Sequence, residues 1–152
     1  MTSQDHITSD SWKLKIANAH LLRGRRPVLV DTGPHDAGVL LAKRLARAGL
    51  AASDLGAVLL THGHADHAGG TATLVASRVP VVLGTPDRSI TEQGRNPELV
   101  PTGPGARLVK RFIDPDFPAF TASVHVDDRI DLDEFGIEGE YRVVGGHTAG
   151  SA

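Results

Sequence analysis

The sequence predicts an α/β layered domain, and three observations carry that expectation. Short apolar runs of strand length alternate with segments whose apolar residues recur at helical spacing. Glycine and proline punctuate the joins between them. The 152 residues, 40% apolar and 22% charged, suffice for one domain, 1–152, with a real core. Aromatics make up only 4%, so that core must be built mainly from Val, Leu, Ile and Ala.

Residues 1–10 are a polar lead-in. Residues 12–16 alternate apolar and polar, the pattern of a half-buried strand. Residues 20–22 and 28–30 flank the turn-like Arg23-Gly24-Arg25-Arg26-Pro27, which predicts a hairpin. Its second strand runs out on Asp31-Thr32-Gly33-Pro34. Asp36 is the expected N-cap of a helix reaching Ala48 and closed by Gly49. Leu41, Leu45 and Ala48 mark its apolar side, with Lys43, Arg44 and Arg47 around the other. Residues 57–61 read as a short buried strand, 69–76 as a second helix despite Gly69 and Gly70, and 79–83 as a third core strand. Residues 84–122 carry Pro86, Pro97, Pro101, Pro104, Pro115 and Pro118 and are expected to form a long loop over the mouth of a site. Residues 123–126 and 141–144 are further strands. The acids between them (Asp127, Asp128, Asp131, Asp133, Glu134) raise a calcium loop, but the required glycine is out of register, so a solvated hairpin is favoured.

Charge and composition narrow the function. The net charge is −2, and the basic clusters at 23–26 and 110–111 are short, which argues against a nucleic-acid partner. The absence of cysteine excludes disulfides and thiolate metal sites, leaving His and carboxylate as ligands. The N-terminal segment has no apolar core of a signal peptide, and no run approaches the ~20 apolar residues of a membrane span. A soluble, cytoplasmic protein acting on a small molecule, with no membrane partner, is expected.

The chemistry concentrates in His62-Gly63-His64-Ala65-Asp66-His67, just beyond a predicted strand. Residues two apart in an extended segment point the same way, so His62 and His64 can offer two imidazoles to one ion. Asp66 and His67 reach a neighbouring position as the chain turns into a helix; Asp66 also suits a plain N-cap role. With 8 His in 152 residues, such a cluster arises by chance in roughly two per thousand chains. His147, between Gly146 and Thr148 at the end of a predicted strand, is the candidate third ligand. His6, His20, His35 and His125 lack such surroundings and are expected to be structural or surface residues. Imidazole and carboxylate are ligands for zinc, at ~2.0–2.2 Å.

The stretch Thr61-His62-Gly63-His64-Ala65-Asp66-His67-Ala68-Gly69-Gly70 resembles the signature of the metallo-β-lactamase superfamily. Asp31-Thr32-Gly33 is similar to that family's earlier Asp-Thr-Gly element, and Gly146-His147-Thr148-Ala149-Gly150-Ser151 to its Gly-His-Thr-x-Gly-Ser motif. All three occur in the family's order. The resemblance implies an αββα sandwich with a one- or two-zinc hydrolytic site. It implies His62, His64 and His147 on the first ion, Asp66 and His67 on the second, and Asp31 as a supporting residue, with a strand-end cap as its alternative role. Iron or manganese stays open beside zinc. In the family the chain continues into more strands that supply a bridging Asp and a last His; this sequence ends at Ala152 without them. The expectation is therefore the N-terminal part of the sandwich as a single incomplete domain. A fragment and a naturally truncated product are both open, with self-association through an uncovered sheet surface.

The favoured function is a zinc-dependent hydrolase acting on an ester, thioester, lactone or related substrate through a metal-activated water, with Asp66 as the catalytic carboxylate. The alternative is a catalytically silent zinc-binding remnant. A redox or nuclease member of the superfamily is weighed third: the acidic balance and the lack of further ligands count against it.

Overall fold

The computed structural model describes residues 7–98 and 115–152. Two antiparallel hairpins open the chain: β1 (Thr8–Leu14) pairs with β2 (Ala17–Arg23), and β2 with β3 (Val28–Val30). From β3 the connections become crossovers. Helix α1 (Gly38–Arg47) leads to β4 (Ala57–Leu59). The short helices α2 (Ala65–Ala68) and α3 (Ala72–Val75) lead to β5 (Val81–Gly84). Helix α4 (Arg88–Gln93) follows β5, and β6 (Val124–Val126) comes later in the chain. Together β1 to β6 form one sheet in sequence order, parallel from β3 onward. A second, two-stranded sheet pairs β7 (Arg129–Asp131) with β8 (Glu140–Arg142).

Alternation along the parallel strands sorts the core into two. Leu29, Val58, Leu60, Val81 and Leu83 face Leu41 and Leu45 of α1, with Leu74, Phe117 and Phe120. Val28, Ala57, Leu59, Val82 and Val126 face Leu132, Phe135, Ile137 and Tyr141 from the second sheet and its turn. Both faces of the parallel strands are thus covered, which is why they read as continuous apolar runs. Helices lie on one side of the large sheet and the small sheet on the other. Among the described residues, no helix is long and apolar enough to cross a membrane.

Local departures from expectation have physical causes. Asp36 does not cap α1; it lies in a 3-10 turn (His35–Ala37), and its carboxylate pairs with Lys15, brought close by the β1–β2 turn. The helix begins only at Gly38 and closes at Gly49, which has φ +74°. The helix expected over 69–76 is shorter, Ala72–Val75, and is preceded by a separate turn of helix at Ala65–Ala68. Gly70 is where the chain must pass close to the β3 loop: its N–H donates to Gly33 O at 2.9 Å, and a Cβ there would stand 2.7 Å from Thr32 O. The acidic stretch 127–134 runs through the turn after β6, through β7 and into the following 3-10 turn; the hairpin partner of β8 is β7 and not the 123–126 strand, which pairs with β5.

One side chain determines where the sheet opens. The β4–β5 ladder runs Val58 N–H to Pro80 O and Leu60 N–H to Val82 O. By parallel periodicity the next rung would join Gly84 N–H to Leu60 O. The Tyr141 hydroxyl stands there instead, donating to Leu60 O at 2.7 Å and accepting from Gly84 N–H at 3.0 Å. Beyond this wedge the two strands part.

Candidate metal centre

The candidate ligands lie around the C-terminal ends of the parallel strands, where crossover connections leave a crevice in open α/β sheets. Asp31 follows β3 directly, and 61–64 follow β4 as extended chain before α2 begins. His147 arrives from β8 on a loop closed on itself: Val144 and Gly145 N–H both donate to Ser151 O. The next residue docks this loop onto the histidine segment, Ala152 N–H donating to Thr61 O at 2.9 Å.

Two sets of ligand atoms result. His62, His64 and His147 bring one nitrogen each within 4.8 Å of one another, and so do the ligand atoms of His62, Asp66 and His67. The closest approach is His64 Nδ1 to His147 Nε2, 3.1 Å. Two nitrogens bonded to one tetrahedral zinc at ~2.0–2.1 Å stand roughly 3.3 Å apart, so the pair is at the right separation to share an ion.

Hydrogen-bond accounting assigns the histidine tautomers. Asp31 is 3% exposed and sits at φ +60°, a left-handed conformation Asp tolerates better than most residues. Its carboxylate accepts from Thr61 N–H (2.8 Å), from the Thr61 hydroxyl (2.9 Å) and from His67 Nδ1 (2.7 Å). The Thr61 hydroxyl has one hydrogen and gives it to Asp31. It can therefore only accept from His62 Nδ1, 3.1 Å away. Nδ1 of His62 carries the proton, and Nε2 is left as a lone pair. That Nε2 is buried and has no hydrogen-bond partner among the described residues. A buried acceptor without a partner is costly, and a cation at the convergence of the three nitrogens would satisfy it. His67 Nδ1 likewise carries a proton, given to Asp31, and its Nε2 stands 3.5 Å from Asp66 Oδ2. Thr32 holds the other end of His67, its N–H and hydroxyl both donating to the His67 carbonyl.

The electrostatics suit ligands more than bases. Burial, then repulsion from His67 and His64, pushes His62 down to about 4. Burial followed by the neighbouring His147 also lowers His64. His67 moves the other way, raised by its hydrogen bond to Asp31. At neutral pH the first two rings are uncharged with lone pairs available.

Of the other histidines, His20 bonds Ser11 at 2.8 Å, His35 is exposed on its turn, and His125 sits on β6 in register with Leu83. His6 lies outside the described residues. So does the middle of the expected loop, 99–114. Its leading part, 84–98, supplies two side chains that sequence reasoning missed. Asp87 accepts from Gly63 N–H at 2.8 Å, and Asn96 Oδ1 accepts from Ala65 N–H at 2.8 Å, next to the candidate ligands. Asp87 had a signal: like Asp31 it stands just past the end of a parallel strand. Asn96 had none.

Comparisons with known proteins agree with this layout. No curated protein sequence matches the chain at a significant level. Solved structures do. The metallo-beta-lactamase MIM-1 from Novosphingobium pentaromativorans is 24% identical with a TM-score of 0.71, covering 97% of this chain and 52% of that one. BJP-1, a subclass B3 metallo-beta-lactamase of Bradyrhizobium japonicum, is 23% identical with a TM-score of 0.63, covering 84% and 46%. Native FEZ-1 metallo-beta-lactamase from Legionella gormanii is 20% identical with a TM-score of 0.66, covering 88% and 49%. The chain spans about half the length of these proteins, and at such identities they speak for the fold alone. The family described as "Metallo-beta-lactamase superfamily" matches residues 12–152, and with the fold and the motif order in agreement, the chain belongs to that superfamily.

Proposed function

We propose that this chain holds a zinc ion on His62, His64 and His147 and hydrolyses an ester, thioester, lactone or related small-molecule substrate. The observation that carries the reading is the buried, unpartnered Nε2 of His62, in a ring that brings a nitrogen within 4.8 Å of one on His64 and one on His147. Three imidazoles suit zinc, and a three-ligand set leaves a fourth place open, as in catalytic sites. When bound, the ion supplies a water acidified toward ~7 and polarises the substrate oxygen. The chain's own groups do the rest. The depressed basicity of His62 and His64 means that neither ring must shed a proton near neutral pH before binding. Asp31 orients His62 through the Thr61 hydroxyl and His67 directly. Asp66, with its side chain 43% exposed, is the carboxylate we assign to accept the proton of the attacking water.

Zinc held without turnover is the second reading, favoured by a specific feature. Among the described residues, Asp66 and His67 complete a set of three only by sharing His62 with the first. A second ion is therefore held weakly. The test is zinc content and affinity by chelator competition, together with a chromogenic ester, thioester and lactone panel. One tightly held zinc per chain, lost in His62→Ala, with chelator-sensitive turnover, is expected. Zinc without turnover selects the second reading; no retained zinc overturns both.

A further inference from the structure

Asp87 is 1% exposed, and its carboxylate serves neither set of candidate ligands. Its oxygens reach both ligand-bearing loops. Oδ2 accepts from Gly63 N–H at 2.8 Å, the amide between His62 and His64. The same oxygen accepts from the Thr148 hydroxyl at 2.7 Å, beside His147. Oδ1 accepts from Gly150 N–H at 3.0 Å. The Thr148 hydroxyl is itself fixed: with its hydrogen on Asp87, it accepts from the Ser151 hydroxyl at 2.9 Å, whose oxygen takes Thr148 N–H at 2.9 Å.

The His147 loop is also pressed against Asp87 and the end of β5 at this point. A Cβ on Gly150 would lie 2.7 Å from Asp87 Cγ, and one on Gly84 would lie 2.2 Å from Gly150 O. Gly150 thus lies directly against the Asp87 carboxylate and Gly84 against the Gly150 backbone, so the carboxylate sits in the seam and sets its spacing. Among the described residues Asp87 has no cationic side chain as partner. A buried carboxylate needs compensation, and the charge closest at hand is that of an ion held by the histidines it organises.

We propose that Asp87 is the positioning residue of the metal centre, clamping the His62–His64 segment to the His147 loop so that the three nitrogens converge before any ion arrives. The inference rests on the reading of those three histidines as ligands of one ion. Asp87→Asn keeps the shape but turns one oxygen into a donor facing other donors, so at least one loop is released. Groups that orient ligands from behind are worth roughly 10–100-fold in metal affinity. Thr148→Val cuts only the hydroxyl link, and Thr148→Ser keeps it.

The experiment measures zinc affinity by chelator competition and the visible bands of the cobalt-substituted chain for wild type and the three variants. A structural role alone would lower stability and leave the cobalt bands in place. Expected are a roughly 10-fold or larger loss of affinity with shifted cobalt bands in Asp87→Asn, a smaller loss in Thr148→Val, and wild-type behaviour in Thr148→Ser. If Asp87→Asn does not fold, the Thr148 pair decides: equal affinity and bands in Val and Ser variants overturns the clamp. Wild type retaining zinc while Asp87→Asn retains it equally, with unmoved bands, overturns this inference alone. Wild type retaining no zinc overturns the metal reading and the inference with it.

Discussion

Replacing Tyr141 with phenylalanine tests how the sheet is opened beside the site. The change removes one oxygen and leaves the ring among Val82, Val126 and Phe135. Tyr141 is 6% exposed, and burial raises its pKa far above the ordinary phenol value, so the hydroxyl stays protonated throughout the working range. Without it, Leu60 O and Gly84 N–H each lose the partner described above. A buried hydrogen bond contributes about 1 kcal/mol net, and a buried group left unpaired costs about 1–3 kcal/mol. The strands can recover part by closing the missing rung directly, so the expected loss is about 2–3 kcal/mol. For a domain of this size that is a fall in Tm of roughly 5–10 °C. Urea unfolding of the chelator-stripped chain, followed by circular dichroism, measures it, with the m-value as a check that the unfolding reaction is unchanged. Closing the rung would also draw Thr61 and His62 toward Gly84, so zinc affinity should fall as well. A stability change below about 0.5 kcal/mol at unchanged m would refute the argument that the hydroxyl carries two buried backbone groups.

Other outcomes follow from the same geometry. Stability of the chelator-stripped chain should fall as pH drops from about 6.5 to about 4: His62 and His64 take up protons more readily when unfolded, and His62 alone contributes on the order of 3 kcal/mol above this window. His67 contributes with opposite sign, its stabilisation present below 6.5 and lost as pH rises through its raised folded value. A pH titration of urea midpoints that stays flat or rises toward pH 4 would contradict the balance. Asp31→Asn should let the His67 pKa drop back toward its ordinary value and cost about 1–3 kcal/mol of stability; histidine proton NMR and urea unfolding of the stripped chain read these separately. Saturating zinc should raise stability by about 4 kcal/mol at a thousandfold excess over Kd, and His147→Ala should abolish most of that gain in a thermal melt.

Much of this protein was legible in short windows of sequence. Residues 20–22 and 28–30 around a Gly-Pro turn became a hairpin, and 57–61 and 79–83 became core strands within a residue or two. The histidine cluster announced itself because its members are spaced within one extended stretch and one helical turn. Local signals failed where a distant partner was stronger. Asp36 reads as a cap, yet Lys15 takes its carboxylate from 21 residues away. Gly69 and Gly70 read as helix weakeners and do lie between the two short helices, but the close approach of Gly70 to Thr32 is not visible locally.

The sequence by itself determined which residue types are available for metal chemistry and which segments become strands, because alternation and ligand spacing are properties of neighbours. Only the tertiary structure decided the proton on His62, which depends on a hydroxyl whose hydrogen Asp31 claims from 30 residues away. Only it brought Asp87 between Gly63 and Gly150, 24 and 63 residues distant, and Tyr141 into the gap between Leu60 and Gly84. A polar side chain acquires such a role from strand order. Parallel pairing of β3, β4 and β5 stacks their C-terminal ends side by side, and no pattern along the chain records what will then stand across the gap.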